Sequence, residues 1–337
     1  MREMTKKIKF ASAFMHKEMV HLNLQLLYEC NFRCRICDFW KPRFKDMPKL
    51  SVADIEVMAK KLPGPMIVSI GGGEPMMHPD LTDIIRVLAR DNFPVMICNG
   101  WYVTPENARA VFEAGLHEIS ISVDYADPAR HDKQRGMKGA FDRAVKALET
   151  LHENRVHPHQ RVHMISVVMN DNVDEIEPLI LLAKEIGVTY LVTHHSSNRG
   201  KKPRRDSADR DVSAHLLELR KKHGNFVACR GFLERFTEAQ RSPDGIKPCY
   251  AGKNLFNIDC QGNVTRCIDR LDQVAGNILR DDYEDIASKL LAFQAADDCG
   301  DCWTSCRGWF ETLMYGKNRI RNLVDSYQVT RKLPLVQ

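Results

Sequence analysis

Apolar, β-branched stretches that alternate with longer segments of helical period predict an α/β protein, a partial (β/α)6 TIM-like barrel with a small C-terminal α+β domain. Two further observations shape that expectation. The chain changes character after the sixth βα unit, two units short of a closed eight-stranded barrel. It then concentrates six of its 11 cysteines between positions 249 and 306. The expected division is therefore 1–225 for the barrel, 226–316 for the cysteine-rich domain and 317–337 for a basic tail.

The strands read as 22–27, 66–70, 95–98, 118–123, 162–169 and 189–193. Helices read as 52–61, 81–90, 105–114, 140–153, 173–186 and 212–222. Ser51 precedes an apolar-periodic run with Asp54 three positions on, and Thr104 precedes Pro105 at a first helical position. Gly115 and Gly187 stand where helices should stop. The basic run 198–206 breaks both periods and reads as a loop after strand six.

At 337 residues and 44% hydrophobic content the chain can bury a large core. Its net charge of +5 is modest and no aromatic-interleaved basic stripe emerges, so no nucleic-acid partner is expected. The apolar run 20–27 is too short to span a bilayer. With neither export signal nor membrane segment, 11 cysteines point to reduced, metal-binding thiols in the cytoplasm. Only about twenty residues precede strand one, too few for an independent domain.

Cys30, Cys34 and Cys37 follow directly on strand one. A four-iron cluster takes four ligands, so a loop offering three leaves one iron open; the alternatives are a zinc site completed by water and three unrelated buried thiols. After strand two comes Gly71-Gly72-Gly73-Glu74-Pro75, where glycines admit a close backbone approach and the carboxylate can pair with an ammonium. The cysteine spacing, followed in order by this turn, resembles the radical S-adenosylmethionine superfamily. The resemblance implies a [4Fe-4S] cluster on Cys30, Cys34 and Cys37, with S-adenosyl-L-methionine chelating the open iron and Gly72, Gly73 and Glu74 holding its methionine part.

Ser122 and Asp124, at alternate positions ending strand four, resemble the segment that lies near the ribose, and Arg135 resembles an arginine near the cofactor carboxylate. Ser166 and Asn170 are candidates for the ribose and adenine edges. Where the family usually has an aromatic immediately after the third cysteine, this chain has Asp38, then Phe39 and Trp40; Phe39 is the expected adenine contact. Asn99, Thr193, His194 and His195 end strands where substrate is met. Cys98, Cys229 and His195 are the candidates for a hydrogen donor or a base.

In the C-terminal domain, 255–267 reads as a β-hairpin turning at Gln261-Gly262-Asn263, with Cys249 before it and Cys267 after. A helix at 283–293 leads to Cys299, Cys302 and Cys306. This order resembles the SPASM appendage or its shortened twitch form, and twitch fits better because no cysteine follows Cys306. The resemblance implies a second, auxiliary [4Fe-4S] cluster on Cys249, Cys267, Cys299 and Cys302, with Cys306 as substitute and Cys260 as ordinary packing; a four-thiolate zinc site satisfies the same spacing.

The implied activity is reductive cleavage of S-adenosylmethionine to a 5′-deoxyadenosyl radical, which takes hydrogen from a small-molecule substrate. Dehydrogenation or epimerisation of a sugar-like or natural-product intermediate is the expected outcome. A maturase acting on a ribosomally made peptide is the alternative, and a non-enzymatic iron–sulfur or sensing protein a lower one. A reductase or a flavodoxin- or ferredoxin-type protein is the expected electron donor.

Overall fold

β1 (His21–Leu27) is buried at every residue because it is hydrogen-bonded on both edges. The computed structural model describes residues 2–196, 211–242, 245–296 and 299–331. On one side of β1 run the parallel strands β2 (Ile67–Gly72), β3 (Phe93–Cys98), β4 (Glu118–Ser122), β5 (Arg161–Val168) and β6 (Thr189–His194). On the other side β7 (Leu255–Ile258) also pairs in parallel, and antiparallel β8 (Asn263–Thr265) and β9 (Val274–Asn277) complete a nine-stranded sheet. The cysteine-rich segment thus extends the barrel sheet. Its hairpin turn spans 259–262, organised by Asp259, which accepts from the backbone N–H of Gln261 and Asn263; Asn263 already belongs to β8.

The helices are α1 (Arg2–Met15), α2 (Val52–Lys61), α3 (Leu81–Ala89), α4 (Pro105–Glu113), α5 (Pro128–Arg135), α6 (Ala140–Glu153) and α7 (Ile176–Ile186), then α8 (Val212–Lys222), α9 (Arg230–Leu233), α10 (Phe236–Arg241), α11 (Tyr283–Ala296), α12 (Ser305–Tyr315) and α13 (Arg319–Arg331). Capping fixes several of them. Ser51 and Asp54 close a reciprocal box at the start of α2, as Thr104 and Asn107 do at α4. Gly187, at φ +85°, ends α7 in the left-handed conformation that β-carbon-bearing residues avoid. Val173–Glu175 form a 3-10 turn ahead of α7, so that helix begins three residues later than its period suggests.

Strand alternation divides the core. Leu22, Leu24 and Leu26 pack with the helices in the main hydrophobic cluster, while His21 and Asn23 face a barrel cavity of about 800 Å³. α1 forms the floor: Phe10 and Phe14 line the cavity, Phe10 packs edge-on to Phe93 at 5.4 Å, and Lys6 donates to the carbonyls of Ala89 and Asn92. α12 closes the open side, with Ser305 N donating to Thr193 Oγ1 at 2.9 Å and Phe310 packed edge-on against His21 at 4.9 Å.

The expected basic tail is a docked helix. Asp325 of α13 pairs with Arg220 at 2.6 Å and accepts from Arg230 N, Arg321 pairs with Glu234, and Asn322 is buried. Its charged residues find partners distant in sequence, so charge alone did not predict a solvated segment. The run 198–206, and Lys332 at the tail's end, lie outside the described residues. Among the described residues no helix is long and apolar enough to cross a membrane.

A chain truncated after residue 225 would expose the buried edge of β1, an unprotected sheet edge. It is expected to aggregate on expression; a soluble, cooperatively melting monomer by chromatography and calorimetry would show instead that 1–225 is an independent domain.

Candidate functional site

The first cysteine loop leaves β1 at its carboxyl end. Phe32 packs edge-on to Trp101 at 5.8 Å, and the backbone N–H groups of Arg33 and Arg35 donate to the carbonyls of Arg135 and Gln134, so α5 holds the loop from outside. The three thiols are not in disulfides and lie close enough to influence one another electrostatically. Burial pushes Cys30 up to about 12 and raises Cys34, so these thiols stay protonated until a metal displaces the proton.

The turn after β2 is pressed against this loop. Gly73 N donates to Leu27 O at 2.7 Å and Glu74 N to Glu29 O at 2.9 Å. A β-carbon on Gly73 would stand 2.0 Å from Glu29 O, so no larger residue fits. Glu74, 1% exposed, accepts from Asn99 N at 2.8 Å and from Met76 N at 3.1 Å. Burial pushes its carboxyl up to about 7 against the pull of those two donors. Among the described residues no cation pairs with it, and a buried carboxylate held by backbone donors is suited to an incoming ammonium. Three unbridged thiols in one loop and this carboxylate fit a cluster with one open iron and an amino-acid ligand.

Arg135 joins the loop to strand four. Its guanidinium pairs with fully buried Asp124 at 2.7 Å and hydrogen-bonds Cys34. Burial works against its charge, but Asp124, Cys34 and Cys37 more than restore it. Asp124 also accepts from Val167 N, and its own N–H donates to His131 Nδ1. Of the other expected nucleoside contacts, Ser122 lines the barrel cavity and Asn170 is half-buried beyond β5. Ser166 is fully buried and held between Val123 O and Tyr190 Oη, which ties neighbouring strands together. Phe39 packs with Tyr28 at 4.9 Å and Phe44 at 5.3 Å, in a cluster that includes Cys260, whereas Trp40, 38% exposed, donates to Cys34 O at 3.0 Å. Both Phe39 and Ser166 therefore have packing or strand-linking duties.

Five of the six C-terminal cysteines, 249, 267, 299, 302 and 306, surround one small cavity. Cys260 is turned away into the Phe39 cluster, as packing requires. Arg307 stands beside this ring: it pairs with Glu311 at 3.0 Å, donates to the carbonyls of Cys302, Ile246 and Pro248, and stays charged despite burial because Glu311, Cys249 and Cys302 face it. Among the described residues no three His, Cys, Asp or Glu side chains converge to grip a single ion; such spread is compatible with thiolates that bind separate irons.

The barrel cavity connects the two regions. Ile36 of the first loop and Cys306 of the second both line it, as do Thr193, His194 and His195. Of the three candidates for donor or base, only His195 does so; Cys98 and Cys229 lie in the main apolar core. The sequence reading passed over Arg307, whose clue was Glu311 four positions on, and the polar column His21 and Asn23.

Residues 24–183 match the Radical SAM superfamily. The chain is similar to the mycofactocin maturase MftC of Mycolicibacterium smegmatis, 28% identical over 312 residues that cover 85% of this chain and 76% of that protein. It is also similar to the AdoMet-dependent heme synthase of Methanosarcina barkeri, 28% identical over 266 residues covering 71% and 75%. Among solved structures it resembles in fold Streptococcus suis SuiB bound to the precursor peptide SuiA, with a TM-score of 0.65 at 17% identity over 82% of this chain and 67% of that one.

Because Glu74 holds its proton up to about pH 7, and an ammonium pairs with the ionised form, affinity for S-adenosylmethionine is expected to rise as pH rises through that value. Glu74→Gln should weaken binding by at least about tenfold and flatten the profile; equilibrium dialysis across pH checks both. Cys267→Ala is expected to lose about half the iron of the anaerobically purified protein and Cys260→Ala none, by metal analysis. Zinc in place of the lost iron would identify a structural zinc site.

Proposed function

Since the chain belongs to the radical S-adenosylmethionine superfamily, we propose that it is a maturase that modifies a peptide, the reading that the similarities favour over a sugar-like substrate. As a superfamily enzyme it uses a [4Fe-4S] cluster and S-adenosylmethionine, with an auxiliary cluster in its SPASM/twitch-type extension. The observation that carries the peptide reading is the cavity: about 800 Å³, walled by Phe10, Phe14, Ile67, Ile97, Leu191 and Leu313. Polar side chains such as Ser69, His117 and Arg161 also line it, and the apolar part of the wall suits side chains of a peptide. The similarity to a protein named a maturase, over 85% of this chain, supports the same reading, as does the likeness to SuiB with its precursor peptide.

When bound, the cluster and the cofactor supply one-electron cleavage chemistry able to remove hydrogen from an unactivated carbon. The residues of this chain do the rest. Cys30, Cys34 and Cys37 hold the first cluster, and Arg135 favours the thiolate of Cys34. Glu74 receives the methionine ammonium. Ser122 and Asp124 bound the nucleoside side, with Trp40 in the place expected for Phe39. Cys249, Cys267, Cys299 and Cys302 hold the auxiliary cluster, and Cys306 and Thr304 form its wall toward the cavity. The cavity excludes water from the substrate, which suppresses competing hydrogen donors, and His195 is placed to move a proton at the cavity rim. A flavodoxin- or ferredoxin-type protein or a reductase supplies electrons.

Anaerobic incubation with dithionite, S-adenosylmethionine and short peptides encoded beside this gene is expected to give 5′-deoxyadenosine and a mass change in one peptide. Cleavage with no change in any peptide would remove the maturase reading, and no product above a Cys34→Ala control would remove the catalytic assignment.

A further inference from the structure

The lumen face of β1 carries polar side chains in a cavity of mixed lining. His21 and Asn23 are 4% and 7% exposed and line the barrel cavity. They hydrogen-bond each other, His21 Nε2 to Asn23 Oδ1 at 3.2 Å, and Phe310 fixes the imidazole edge-on at 4.9 Å. What remains of the pair, His21 Nδ1 and Asn23 Nδ2, has no hydrogen-bond partner among the described residues. Buried polar atoms are as a rule hydrogen-bonded, so a pair left unpartnered on cavity-lining residues asks for a ligand.

The free atoms specify that ligand. If His21 donates to Asn23, its Nδ1 is left as an acceptor and Asn23 Nδ2 as a donor. If the amide is turned and the other tautomer present, the pair instead offers a donor on His21 and an acceptor on Asn23. Either way the pair, on two residues that line the cavity, is left with one unpartnered donor and one unpartnered acceptor, the complement of a primary amide. A carboxylate or ketone only accepts and would leave one of the two unsatisfied. Two residues on, Gln25 is 1% exposed with neither side-chain oxygen nor nitrogen partnered, which repeats the pattern nearer the first cysteine loop. We propose that His21 and Asn23 form an amide-recognition site that takes a primary, side-chain amide of the substrate through one hydrogen bond in each direction. Burial, which lowers His21 to about 4, keeps the ring neutral and so preserves the pattern at physiological pH.

This site deepens the peptide reading and rests on it only for the owner of the amide. Asn23 also reaches the wall of the cysteine cavity, so a role toward the auxiliary site is the rival explanation. The test uses the anaerobic holoenzyme, isovaleramide and isovalerate, and ligand-observed NMR titration. Isovaleramide is expected to bind at least about fivefold more tightly than isovalerate, and Asn23→Leu and His21→Phe each to weaken the amide about tenfold while leaving isovalerate unchanged. Should Asn23→Leu fail to fold, the isosteric Asn23→Asp, which lacks the amide donor, gives the same expected loss. Equal affinities, or variants that bind isovaleramide like the parent, overturn the proposal. So does an Asn23 variant whose only change is in the auxiliary-cluster EPR signal. No turnover is measured, so this failure leaves the maturase reading standing, and a protein inactive on peptides can still pass.

Discussion

Strand β1 is hydrogen-bonded in parallel on both edges, and every element that carries chemistry is placed by reference to it. Its carboxyl end releases the first cysteine loop. Its pairing with β2, shifted between Gln25 and Leu27, sets the Gly-Glu turn against that loop. Its pairing with β7, from His21 opposite Leu255 to Leu24 opposite Ile258, positions the hairpin flanked by Cys249 and Cys267. Its lumen face supplies His21 and Asn23. The β7 partner arrives more than 200 residues later in the chain, so the central strand has both neighbours only when folding has brought the far half of the sequence home, a contact order that favours slow assembly.

Beside each cysteine group stands a buried arginine held by a buried carboxylate. Arg135 with Asp124 serves the first, and Arg307 with Glu311 the second. A buried ion pair gives little net stability because both charges are desolvated, and removing one partner strands the other. What the pairs provide here is a fixed positive charge near sulfurs that must become thiolates, against a burial that holds free thiols protonated. The carboxylates orient the guanidinium groups, so each arginine can also bond backbone or thiol nearby without losing its charge.

Much of this was legible in the sequence, for local reasons. β1 announces itself by its leucines and β2 to β6 by apolar, largely β-branched runs, and the helices at 52–61, 140–153 and 212–222 run to the limits that periodicity and caps indicated. The glycine-glutamate turn and the five ring cysteines stand out by residue type. The remainder is encoded in long-range contacts. α5 is highly polar because His131 and Arg135 are buried against the site, where a helix period in apolar residues has nothing to report. α1 looks like a lysine-rich leader until Lys6, Phe10 and Phe14 meet the strand ends. His21, Asn23 and Gln25 alternate with leucines as a solvent-facing edge would, and only barrel closure by α12 turns that edge inward.

One consequence of the doubly paired strand concerns timing. Two redox centres joined by a flexible hinge exchange electrons at a pace that solvent viscosity can slow. Here the first cysteine loop leaves β1, and Cys249 and Cys267 flank the β7–β8 hairpin that pairs with it, so one hydrogen-bonded sheet ties the two groups together. With clusters on both groups, the sheet would fix the distance an electron has to cross, and only the contents of the chamber would vary it.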